Sequence, residues 1–285
     1  MVQSVQRAVR VLRELAAGGP RLGVTELAER VGVAKPTVHA LLRTLEGEGL
    51  VVQDAETGRY QLGPGLLMLG NAYLDTQELR ARSLSWADTL ANRADEAVWV
   101  AVLTGDHVFV VHHAFRPEGV VQILEVGASI PWSTCALGKA IVAFLPPEQR
   151  KELLEGELPA LTGSSITDAA ALARQLEEIG RTGHALENQE SALGDAGIAA
   201  PVFDRSGIAG AIGVIGPVER VLDDAVRQDH VVAVREVARQ ISRELGAGRS
   251  GAAAGLASRS ALPHERLRCP KRQLSDDSQQ ISIAR

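Results

Sequence analysis

The sequence predicts an α+β chain in two parts: a small helical unit closed by a β-hairpin, and a larger domain on a mainly antiparallel sheet, with a linker helix between them. Three observations predict this. Helical periodicity fills the first fifty residues and stops at two short alternating strands. A proline at position 64 then opens a helix with a wide apolar stripe. Beyond it, strand runs are interspersed with helices without a regular βαβ alternation.

In the first unit, Val5, Ala8, Val9, Leu12, Leu15 and Ala16 recur at helical spacing, and Gly18, Gly19 and Pro20 end that helix. Thr25 is the expected N-cap of a two-turn helix, ELAERV, with Glu26 in its first turn and Gly32 past its end. A third helix runs through GVAKPTVHALLRTLEGEGL, where Val38, Leu41, Leu42 and Leu45 fix the buried face. Proline in a first turn loses no hydrogen bond, so Pro36 marks where this helix begins. LVVQ and RYQL then flank DAETG as a hairpin. Helix, short helix, turn, helix and hairpin is the order of a winged helix-turn-helix, spanning 1–62.

Stepping 100° per residue places Pro36, Ala40, Arg43 and Gly47 opposite the buried face, flanked by Thr37, His39 and Thr44. Lys35, Thr37, His39 and Arg43 are the residue types that meet phosphates and base edges when a helix enters a major groove, and small Ala40 permits close approach. The same pattern suits a polar solvent face. The helical hairpin before it and the wing after it favour recognition, with Thr25, Arg59 and Tyr60 as flanking contacts. Overall charge does not oppose this: the net −5 comes from residues 63–246, with 15 basic against 25 acidic residues, whereas 1–62 hold 8 against 7.

The linker, 63–80, leaves Leu66, Leu67, Leu69, Tyr73 and Leu74 on a stripe that a second copy of the chain would cover. The larger domain, 81–246, opens with a helix carrying Leu84, Trp86 and Leu90. Strands follow at AVWVAVL, HVFVVHHAF and VVQILEV. Helices around 136–145, 148–155 and 168–181, strands at 184–187, 198–203 and 208–215, and a final helix over 223–245 complete it. Residues 247–285 lack periodicity and are rich in Gly, Ala, Ser and charge, so a disordered tail is expected. Two distant cysteines, no apolar run near a membrane span's length and an arginine-bearing amphipathic start point to a chain in a reducing cytoplasm, away from membranes.

Ser133, Thr134, Cys135, Ala136, Leu137, Gly138 and Lys139 join a strand to a helix start, where small hydroxyls and uncapped N–H groups suit an anion or polar small molecule. The plainer reading is that Ser133 or Thr134 caps the helix. Adjacent strand residues His112 and His113 point to opposite faces, and no Cys/His cluster at ligand spacing accompanies them, so neither a metal nor a cofactor is expected. The competing functional class is an enzyme, a small hydrolase or thiol catalyst using Cys135, paired with His113, or Ser133. It leaves the first 75 residues without a purpose.

The run SVQRAVRVLRELA, followed by VTELAERVGVAKPTVHALLRTLEGEGLVVQDAETGRYQLGPGLLMLG, resembles the amino-terminal domain of the IclR family of bacterial transcriptional regulators. SIPWSTCALGKAIVAFLP, SSITD, GIAAPVFD and AIGVIGPVERV extend the resemblance over residues 2–246. YLDTQELRAR and VVHHAFRPE are most similar to actinomycete regulators of glycerol operons. The resemblance implies a GAF-like α/β effector-binding domain, double-stranded operator DNA as partner, a homo-oligomer, and repression relieved by a small-molecule effector such as glycerol 3-phosphate. It carries effector contacts to Ala136 and Leu137 in the loop, and to Glu187, Gly197, Gly213 and Ile215. Small-acid-binding members carry polar groups where Gly197, Gly213 and Ile215 stand here. Glu187 keeps a carboxylate, which favours hydroxyl-bearing ligands over bare anions.

Overall fold

A computed structural model of the chain describes residues 2–17, 19, 21–117 and 122–247. The expected tail therefore lies almost wholly outside the described residues, as do Gly18 and Pro20 at the first helix's end. Two compact units divide between Tyr73 and Leu74.

In the first unit, α1 (Gln3–Ala17), α2 (Val24–Val31) and α3 (Lys35–Gly47) precede a hairpin of β1 (Val51–Gln53) and β2 (Tyr60–Leu62). Val11, Leu15, Leu22, Leu27, Val38, Leu42, Val51 and Tyr60 form its core. Gly32 takes a left-handed φ of 73° and its N–H closes α2 on the Ala28 carbonyl, which turns the chain tightly into α3. Pro36 lies in the first turn of α3, as its fixed φ and missing N–H require.

Two expectations change here. Gly23, not Thr25, holds the N-cap position of α2, and no side chain caps it; Thr25 lies one residue inside the helix, exposed. Tyr60 is 2% exposed, because Leu22 and Tyr60 exchange both backbone hydrogen bonds (2.9 and 2.8 Å) and pin the wing against the helices with the ring turned inward. It is a core residue and not a flanking DNA contact.

Helix α4 (Gly65–Asp75) follows the wing directly. Of the expected stripe, Leu67, Leu69 and Tyr73 are 67, 62 and 49% exposed, joined by Met68 at 75%, whereas Leu66 and Leu74 are half-buried and Leu74 packs against the core of the larger domain. The second unit begins with α5 (Glu78–Ala94). A six-stranded antiparallel sheet follows, ordered β5-β4-β3-β8-β7-β6: β3 (Ala97–Thr104), β4 (His107–Ala114), β5 (Ser129–Pro131), β6 (Ala185–Asn188), β7 (Asp195–Phe203) and β8 (Ile208–Pro217). Helices α5 and α10 (Arg227–Glu244) bury one face against Val98, Val100, Ile198, Ile212 and Val214. On the other face lie α6 (Ala136–Val142) and α8 (Ala169–Thr182), against Ala101, Val108, Ala185, Ala199 and Ala211. Helices α7 (Pro147–Leu154) and α9 (Val218–Val221) are short connectors.

The strand expected at VVQILEV is absent from its described part. Ile123 and Leu124 are 78 and 58% exposed, and residues 125–128 form a turn in which Gly127 N–H donates to Val110 O at 2.8 Å. The ladder with β4 begins after that turn, as the three-residue edge strand β5. A bounded apolar run does not by itself distinguish a strand from a loop.

Candidate functional site

Helix α3 presents Lys35, Pro36, His39, Ala40 and Arg43 to solvent, with Thr37 half-buried beside them. No ion pair to a described residue ties up Lys35, His39 or Arg43. This cationic face lies opposite Val38, Leu42 and Leu45, so the core fixes its direction. The wing behaves differently. Arg59 bends back, donating to Arg21 O at 3.1 Å with its Nη1 4.0 Å from Glu26. Arg21, which no spacing singles out, pairs with Asp54 at 2.6 Å and so orders the wing tip, where Thr57 donates twice to Asp54 Oδ1 at 2.8 Å. Those bonds hold the Asp54 carboxyl below its ordinary value, the Thr57 amide being the main cause.

In the second unit the candidate loop forms a 3₁₀ turn, Trp132–Thr134, before α6. Neither Ser133 nor Thr134 caps α6. The N-cap is Cys135, whose Sγ accepts from Gly138 N–H at 3.4 Å, while Thr134 Oγ1 donates to Pro131 O at 3.1 Å. Gly138 is required: a Cβ there would overlap the Trp132 backbone. Leu137 is fully buried in the α6 packing cluster, and Ser133 Oγ is buried without a protein partner.

Sheet register assembles the rest. Glu187, Gly197 and Ile215 are directly paired neighbours across β6, β7 and β8. A Cβ built on Gly197 would lie 2.9 Å from Ile215 Cδ1, 3.4 Å from Ala136 Cβ and 3.6 Å from Glu187 Oε2, so these four residues enclose one spot beneath the start of α6. Gly213 lies one row along, and there a Cβ would meet Ile198 O at 2.7 Å and Ala199 Cβ at 2.9 Å; its role is close strand packing.

Glu187 Oε1 accepts from the backbone N–H groups of Glu190 (2.6 Å) and Ser191 (3.3 Å), so Oε2 is the oxygen on the Gly197 side. Burial pushes this carboxyl up to about 7, against the pull of those two N–H groups. Beside it Lys139, fully buried in α6, grips both oxygens of Glu190 at 2.6 Å. Thr162 Oγ1 and Ser165 Oγ strap the same loop through Gln189 O (2.6 Å) and Glu190 O (2.7 Å). The family resemblance points to Glu187 but nothing in the sequence points to Glu190, because only the fold brings that carboxylate to Lys139, 51 positions away.

The model of the IclR helix-turn-helix domain matches residues 4–55, and that of the bacterial transcriptional regulator IclR C-terminal domain matches residues 71–243. The chain belongs to the IclR family.

Among curated relatives of this IclR-family chain, the glycerol operon regulatory protein of Streptomyces griseus is 49% identical over 250 residues, 87% of this chain and 98% of that protein. Its Streptomyces coelicolor counterpart is 44% identical over the same shares. The IclR transcriptional regulator of Alicyclobacillus acidocaldarius superposes with a TM-score of 0.74 at 30% identity, over 86% of this chain and all of that one. An IclR homologue from Microbacterium hydrocarbonoxydans, complexed with 4-hydroxybenzoate, shares the fold at a TM-score of 0.73 and 24% identity, over 86% and 100% of the two chains. This IclR-family member is a DNA-binding transcriptional regulator with an α+β architecture.

The site chemistry of this IclR-family domain agrees with that class and not with the thiol enzyme. Burial pushes the Cys135 thiol up to about 12, far from a reactive thiolate. Its contacts are Pro131 O and Gly138 N–H, while His113 Nδ1 is engaged by Glu125 N–H, so the two do not form a nucleophile–base pair. Among the described residues no group of three or more His, Cys, Asp or Glu could hold a metal ion, and no helix is long and apolar enough to cross a membrane.

Proposed function

We propose that this chain is the cytoplasmic repressor of a glycerol-catabolic operon, released from DNA by a small polyol phosphate such as glycerol 3-phosphate. The observation that carries the pathway is the pair of Streptomyces glycerol operon regulators, 49 and 44% identical across 98% of their lengths. On this reading residues 1–62 bind DNA, 63–80 link and dimerise, and 81–246 sense the effector. Lys35, Thr37, His39 and Arg43 face the operator's major groove, with Thr25 and Arg59 at its flank. Two copies joined along α4 set two α3 helices on the half-sites of a pseudopalindrome.

The effector is received next to the Ser133–Gly138 loop at Ala136, Glu187, Gly197 and Ile215, where even a Cβ on Gly197 would lie 2.9 Å from Ile215 Cδ1, so its entry requires the Ile215 side chain to move aside. Glu187, pushed up to about 7, is protonated in about half the molecules at neutral pH, and in that form its carboxyl donates to a ligand hydroxyl without repelling a phosphate. Glycerol 3-phosphate is expected to raise the melting temperature of the purified protein and to release it from the promoter region of its own glycerol operon in a gel shift. No effect of glycerol 3-phosphate or glycerol in either assay overturns the pathway and effector assignments.

A further inference from the structure

Two buried ring N–H groups lie outside everything argued so far. Trp99, on β3, is the direct sheet neighbour of Gly213 on one side and His113 on the other, so the row that carries Ala185, Ala199 and Gly213 continues into these two rings. Trp99 packs against the α6 cluster, as Ile215 does, which places the row on the effector face of the sheet. The rings meet edge to face with centroids 5.9 Å apart at 70°.

One polar atom of each ring has no partner among the described residues. Trp99 Nε1 and His113 Nε2 are both buried and unpaired, and His113 is only 7% exposed. The tautomer follows from the other ring nitrogen: Glu125 N–H donates to His113 Nδ1 at 3.2 Å, so in the neutral ring the proton sits on Nε2. Burial, with His112 as a smaller cause, pushes this imidazole down towards neutrality. Two N–H donors thus belong to neighbouring rings on one face, neither with an acceptor among the described residues, which costs free energy unless something supplies an oxygen.

We propose that Trp99 and His113 are specificity-determining residues of the effector pocket, donating their indole and imidazole N–H groups to phosphate oxygens of a polyol phosphate. The proposal rests on the reading of the Glu187–Gly197 spot as the effector site and extends that site by one row of the sheet. It explains how a pocket without a free cation holds an anion: Lys139 is committed to Glu190, and neutral donors take its place.

The test measures binding of glycerol 3-phosphate, inorganic phosphate and glycerol to the full chain by calorimetry, for wild type, Trp99→Phe, His113→Phe and Glu187→Ala. Trp99→Phe keeps an aromatic ring and deletes the N–H, and unchanged operator binding with a cooperative melt confirms folding. Each ring variant is expected to weaken glycerol 3-phosphate and phosphate by about tenfold or more, since bonds to charged groups are worth ~1.5–3 kcal/mol, with little change for glycerol. In the wild type, the indole N–H resonance lost in Trp99→Phe is expected to shift on saturation with glycerol 3-phosphate.

Wild-type affinity in both ring variants, with loss in Glu187→Ala, overturns this proposal and leaves the pocket reading standing. Loss in the ring variants with none in Glu187→Ala supports the ring contacts and sinks the Glu187 end. A wild type that binds none of the three probes overturns both.

Discussion

At the scale of single residues, Glu187 carries the sharpest consequence. In the fold its carboxyl is pushed up from an ordinary 4.5 to about 7, so between those values the folded chain holds a proton that the unfolded chain has released. Stability from this group therefore falls as pH rises through that window, and is level above it. Each tenfold change in proton affinity corresponds to ~1.4 kcal/mol, so the ionised carboxylate costs roughly 3–4 kcal/mol near pH 8. Glu187→Gln is expected to match wild type near pH 4.5 and exceed it by about that amount at pH 8, in denaturant melts across the range. A difference independent of pH would show that the carboxylate is solvated. Buried His112, His113 and His184 are pushed the opposite way, but they are common to both proteins and cancel in the comparison. Residue type was enough to single out Cys135, and the family resemblance to single out Glu187. Neither could show that Cys135 is the cap of α6 with an inert thiol, or that Tyr60 points inward, since each depends on a neighbour remote in sequence.

At the scale of elements, α3 was legible because its signals are local: a first-turn proline, apolar residues at i, i+3, i+4 and i+7, and a polar opposite face. Arg43 stands mid-helix on that face and Lys35 at its start, which suggests different jobs. Arg43→Ala is expected to weaken specific operator binding by about 1–3 kcal/mol and to relax sequence preference, whereas Lys35→Ala mainly reduces the salt dependence of binding, by about one ion. Gel shifts at several salt concentrations separate the two, and unchanged binding by both removes α3 from the groove. The wing was half legible. Its strands and loop follow from alternation, but Arg59's turn towards Glu26, and the Arg21–Asp54 pair that orders the tip, arise from contacts across 30 to 40 residues. The 122–126 segment reads as a strand by composition and is not one, because a neighbour with free hydrogen-bonding groups decides strand formation, and backbone bonds to β4 begin only at the turn, with Gly127 and Ala128, and become a ladder from Ser129.

At the scale of the whole molecule, the exposed stripe of α4 bears on assembly. Leu67, Met68 and Leu69 are each more than 60% exposed on consecutive positions, an apolar area that the proposed dimer would cover with a second copy. Met68→Asp is expected to shift the protein towards monomer in analytical ultracentrifugation and to lower operator affinity at least tenfold through lost bivalence, with α3 intact. An unchanged oligomer would move the interface elsewhere. The sequence by itself determined the two-part α+β organisation, the winged helix-turn-helix with α3, and the family, because periodicity and turn chemistry act over a few residues and the motifs that mark the family are contiguous. Only the tertiary structure decided what meets what. Sheet register carries Glu187, Gly197 and Ile215 to the start of α6, aligns Trp99 with His113, and closes Lys139 onto Glu190, and pairings between distant strands leave no local imprint on residue order.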